Sequence, residues 1–139
     1  MKKLTCTLIF VALSALLAPL TFADHHAVKV VKQENLGTYL TDAKGMTLYR
    51  FAKDQAGISA CSGNCLEKWP AYYREHPAAP EGISADDFAA IKRADGVMQT
   101  TFRGYPLYYF FKDEMAGDAK GQGVKNVWFV INPDNFPNH

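Results

Sequence analysis

An all-β domain, mainly antiparallel and with one short helix, is what this sequence predicts. Two tandem hairpin-based repeats, related by a pseudo-twofold axis, would pack as a single small domain. Three observations lead there. The chain matches itself when shifted by 59 positions, each half carries two strand-forming runs around a glycine-containing turn, and helix signals are few.

The shift lays Gly37 on Gly96, Thr41 on Thr100, Gly45 on Gly104, Leu48 on Leu107 and Tyr49 on Tyr108. It also lays Phe51 on Phe110, Lys53 on Lys112, Asp54 on Asp113 and Trp69 on Trp128. The chain has only two tryptophans, and one offset pairs them, so an internal duplication is the economical reading. The repeats would span about 36–73 and 95–132. They would be joined by a linker, 74–94, which opens with REHPAAPEG, a segment with the composition of a connection.

Taken in order, the elements begin with a leader. Met1-Lys2-Lys3 is a basic start, an apolar run follows, and Thr21 and Ala23 offer small residues for cleavage, so residues 1–23 read as a secretory signal peptide. Cys6 falls too early to serve as a lipid-modified cysteine after the apolar core. The mature chain, 24–139, suits one domain with a modest core and no integral membrane span. Loss of Lys2 and Lys3 leaves 13 basic against 14 acidic side chains, which gives no basic stripe for nucleic acid.

VKVVKQ near the new N-terminus reads as a strand. GTYLTDAKGMTLYRF is a hairpin turning at Asp42-Ala43-Lys44-Gly45, and VMQTTFRGYPLYYFF repeats it around Arg103-Gly104. NCLEKW suggests a single helical turn, and SADDFAAIKRA a longer helix capped by Ser84. NVWFVIN is a final strand, ended by Pro133.

Side chains alternate across a strand. Leu107, Tyr109 and Phe111 then share one face, and Tyr108 and Phe110 the other; Tyr49 and Phe51 oppose Met46 and Leu48. Apolar residues on both faces imply cover on both sides. The rings serve chiefly as core. The alternative is a groove lined by Tyr49, Phe51, Tyr108 and Phe110 with Trp69 and Trp128.

These motifs resemble a group of small exported bacterial proteins, many of them lipoproteins, named for a Yx(FWY)xxD motif and known as a secreted repeat of unknown function. The motif stands as Tyr49-Arg-Phe51-Ala-Lys-Asp54 and as Tyr108-Tyr-Phe110-Phe-Lys-Asp113. SACSGNCLEKWP resembles the family's Cys-x-Gly-x-Cys stretch before Trp-Pro, and GQGVKNVWFVINP its last strand. The resemblance implies fold and export; it implies no activity.

Few residues could carry chemistry. Cys61 and Cys65, alone after cleavage and in an oxidising compartment, form a disulfide closing a tight Ser-Gly-Asn turn. Thiol redox work or Cu(I) binding are the alternatives. A mature start at Asp24-His25-His26 would offer amine, amide and imidazole nitrogens to square-planar Cu(II); the plain reading is a polar leader. Asp54 and Asp113 either end their strands by accepting backbone N–H bonds or act as an acid–base pair. No catalytic motif is present. The expectation is therefore an exported, periplasmic, non-enzymatic binding module for an envelope protein or small ligand, without cofactor. The alternative is a periplasmic copper or thiol-redox protein using Asp24, His25, His26, Cys61 and Cys65.

Overall fold

Glycine-containing turns set the hairpins from which the fold is assembled. A computed structural model describes residues 27–137. The leader, the Asp24-His25-His26 metal set and His139 lie outside the described residues.

β1 (Lys29–Gln33) pairs antiparallel with β2 (Gly37–Thr41), from Lys29 opposite Thr41 to Gln33 opposite Gly37. β4 (Phe88–Lys92) and β5 (Met98–Phe102) repeat the pairing, and β5 turns into the short β6 (Tyr105–Pro106). Arg103 and Gly104 connect the latter two strands with φ of 48° and 89°. Two left-handed residues give the turn whose twist matches that of the flanking strands.

The corresponding turn in the first half is one residue longer. Asp42 N–H donates to the Met46 carbonyl at 2.9 Å, and the Asp42 carboxylate accepts from the Lys44 and Met46 amides. The repeat offset therefore changes at the turn. Leu48 donates to Leu40 as Leu107 donates to Thr100, so Leu40 and Thr100 correspond although sixty positions apart. Gly37 and Thr41 thus correspond to Val97 and Thr101, not to Gly96 and Thr100 as an ungapped shift suggests.

The expected helix over 84–94 is mostly strand. Ser84 does cap, its hydroxyl accepting from Asp86 N–H, but only a single 3-10 turn, Ala85–Asp87. From Phe88 the chain becomes β4, because the ladder to β5 overrides the helix preference of the alanines. β1 and β4 thereby extend each half upstream of 36 and 95, and the linker expected over 74–94 contains a strand. The short helix is α1 (Asn64–Lys68), in the NCLEKW segment.

The halves exchange strands. β3 (Tyr49–Phe51) pairs with β7 (Trp128–Val130) from the far end of the chain, Phe51 lying opposite Trp128. In the mirror arrangement Tyr109 and Phe111 donate to the carbonyls of Pro70 and Lys68 at 2.8 and 2.9 Å. On the pseudo-twofold axis Tyr49 and Tyr108 exchange backbone bonds of 2.8 and 3.0 Å.

Two apolar clusters lie on opposite sides of these central strands. Leu40, Leu48, Tyr72, Phe102, Leu107 and Ile131 build one. Tyr49, Trp69, Tyr108, Phe110 and Trp128 build the other, with Cys61. Cover on both faces is thus met, except at Phe111, which is 50% exposed at the end of its strand. Among the described residues no helix is long and apolar enough to cross a membrane.

Candidate functional site

Strand exchange brings the two Yx(FWY)xxD segments against each other, and each completes the other. Tyr108 Oη donates to Asp54 Oδ2 at 2.8 Å, and Tyr49 Oη donates to Asp113 Oδ2 at 2.6 Å. The second oxygen of each carboxylate accepts a backbone N–H, Asp54 from Ala60 and Asp113 from Lys120. Asp54 and Asp113 thus tie down the loops that follow them, and they do so as two separate crossed clasps.

Burial raises both carboxyls above the usual carboxylate range, against the opposing pull of these hydrogen bonds. Burial likewise raises Tyr49 and Tyr108 well above the ordinary phenol value. The clasps differ in their outer partners. Tyr49 Oη accepts from Gly121 N–H at 3.1 Å, whereas Tyr108 Oη lies 2.7 Å from Ser59 Oγ. Ser59 in turn accepts from the buried guanidinium of Arg93, which also reaches Gln99 and the Cys61 carbonyl.

The same twofold relation governs the rings. Phe51, Trp128, Trp69 and Phe110 stack in that order, with centroid separations of 4.2, 3.8 and 4.2 Å. The two tryptophans at the centre are within 4° of parallel and nearly buried. Tyr49 and Tyr108 meet Trp69 and Trp128 edge-on from beneath. Gly121 permits this packing, since a Cβ there would sit 2.8 Å from both Trp69 and Tyr49.

A family profile described as a secreted repeat of unknown function matches residues 30–72 and 89–132. The chain belongs to this secreted-repeat family. Its two matched segments begin within β1 and β4, in agreement with the hairpins that open each half. No curated protein and no solved structure matches the chain.

In this secreted repeat the ring stack floors a groove of about 600 Å³. Phe51, Trp69, Phe110 and Trp128 line it from below, with Cys65 and Val127 beside them. Among the described residues its rim holds five exposed lysines, Lys53, Lys68, Lys112, Lys120 and Lys125, and no carboxylate lines it. Lys53 and Lys112 follow the two motif rings at equivalent positions. Lys120 lies 3.5 Å from Asp118; for the other four, no carboxylate lies within ion-pairing distance among the described residues. Low-dielectric walls beneath charges of one sign concentrate an attractive potential for anions.

Of the residues singled out in sequence, the structure brings Phe51, Phe110, Trp69 and Trp128 together at the groove. Tyr49 and Tyr108 do not line it; strand alternation puts them on the same side as Phe51 and Phe110, but they are fully buried beneath the stack. Cys61 and Cys65 are disulfide-bonded, with Cα atoms 5.4 Å apart. Among the described residues no group of three or more His, Cys, Asp or Glu side chains could hold a metal ion. Ser59, Arg93 and the lysine rim escaped sequence reading. Lys53 and Lys112 carried a signal, their shared repeat position; Lys68 ends α1, and Lys120 and Lys125 lie on the connection before β7, at positions the repeat does not relate.

Proposed function

We propose that this exported chain is a non-enzymatic binding module of the periplasm whose ligand site is the groove above the four-ring stack. The observation that carries the reading is the concavity itself: aromatic edges at its base and a polar rim, at a volume in the range of small-molecule sites. The clasps support a scaffold role for Asp54 and Asp113, since both oxygens of each carboxylate are already engaged within the fold.

Both tryptophans of the chain line the groove, which supplies a built-in reporter. Titration with the neutral probe N-phenyl-1-naphthylamine should quench tryptophan emission and sensitise that of the probe, saturating at one site. Absence of transfer up to the solubility limit of the probe counts against the groove as a ligand site.

A further inference from the structure

We infer that the groove selects a small aromatic anion: a flat apolar body carrying carboxylate, sulfonate or phosphate groups at its edge. This rests on the groove reading and adds its chemistry. Five rim lysines against no lining carboxylate is a one-signed arrangement, and only Lys120 has an acidic partner within 4 Å among the described residues. A purely structural surface intersperses both signs, because clustered like charges repel. Here the repulsion is retained over an aromatic floor, the combination that recognises a ring and its acidic substituent together.

The rim also carries backbone strain. Lys125 and Asn126 hold φ of 51° and 56°, in succession and without glycine. Left-handed residues of this kind persist only where surrounding structure fixes them, and they concentrate at ligand sites. Here the strained turn, Val124–Asn126, places Lys125 on the rim directly before β7 and Trp128. The size of the groove favours a small molecule as the occupant: about 600 Å³ suits one, and the floor is bounded by the four rings.

Paired probes test the inference on the full mature chain. 1-Anilinonaphthalene-8-sulfonate and N-phenyl-1-naphthylamine share an aryl frame and differ by the sulfonate. The anion should bind about tenfold more tightly at low salt, and the advantage should shrink as salt rises. The exposed Lys53→Gln/Lys112→Gln double variant, which keeps three rim lysines, should lose part of the anion's advantage over the neutral probe; an undiminished advantage counts against the lysine rim. Lys29→Gln, on β1 and outside the groove, should leave that advantage unchanged. Near-ultraviolet circular dichroism identical to that of the parent excludes partial unfolding as the source of dye binding.

Equal affinity for both probes overturns the anion inference and leaves the groove reading standing. Failure of both probes to bind overturns the groove reading as well. Co-sedimentation with phosphatidylglycerol vesicles that depends on the same lysines, without binding of the soluble anion, overturns the small-molecule assignment in favour of a lipid surface.

Discussion

Tyr49 and Asp113, 64 positions apart, share a 2.6 Å hydrogen bond that neither repeat could make within itself. Its counterpart joins Tyr108 to Asp54. The spacing inside Yx(FWY)xxD is thus explained by a partner motif. The tyrosine looks across the axis, the central ring joins the stack, and the aspartate holds the following loop and receives the other tyrosine.

A double-mutant cycle should read this crossing. Tyr49→Phe leaves a buried carboxylate oxygen without its donor and should cost about 1–3 kcal/mol. Combined with Asp113→Asn, the two changes should be strongly non-additive. Combined with Asp54→Asn, Tyr49→Phe should be close to additive. Denaturant unfolding monitored by tryptophan fluorescence measures both; the reverse pattern would place each clasp inside its own repeat.

The halves should fail to fold separately. A fragment covering 27–74 lacks β7, the partner of β3, and loses Trp128 from the centre of the stack. It should show disordered far-ultraviolet circular dichroism alone. Mixing with a fragment covering 75–137 should recover strand signal, as expected when the hydrogen-bonding partner of an edge strand is supplied in trans.

Stability should fall as pH rises in two windows. The Asp54 and Asp113 carboxyls titrate above their unfolded values, so the folded chain binds protons that the unfolded chain has released. Their contribution is present below the ordinary carboxylate pKa and is lost as pH rises through the folded values. Asp95 and Asp118 titrate below the ordinary value and oppose this at lower pH; Asp95 is exposed and Asp118 is at the surface beside Lys120, so solvent screens both and they count for little. In the alkaline window, burial pushes Tyr72 up to about 12 and Tyr49, Tyr108 and Tyr109 higher still. Unfolded tyrosines ionise first, so stability is lost progressively above about pH 10. Melting temperatures across pH 4–11 record both slopes, and Asp54→Asn/Asp113→Asn should flatten the acidic one.

Gly121→Ala should be disruptive, because Gly121 is buried against the ring stack. The new methyl would meet Trp69 and Tyr49 at 2.8 Å, and the crowding should cost about 1–3 kcal/mol. Altered near-ultraviolet signal from the tryptophan pair would accompany the loss. Reduction of Cys61–Cys65 should cost about 2 kcal/mol for so short a loop. A cooperative thermal transition retained after reduction is the check.

The sequence by itself determined the duplication, the hairpins and the two-sided apolar character of the motif strands, since each follows from local period, turn chemistry and self-similarity. It also paired Trp69 with Trp128 and Asp54 with Asp113 as equivalents. Tertiary structure alone decided that equivalents become partners: β3 goes to β7, Tyr49 to Asp113, and the rings of both halves to one stack. Exchange of strands leaves no trace in a one-dimensional pattern, because a strand reads the same whichever edge completes its ladder. The helix expected over 84–94 failed for a related reason, the β5 ladder outweighing the local preference of its alanines. The one-residue difference between the turns was hidden by matching glycines. The lysine rim gathers from the turn after β3, the end of α1 and the connection between β6 and β7, and only the packing that stacks the rings places those charges around one groove.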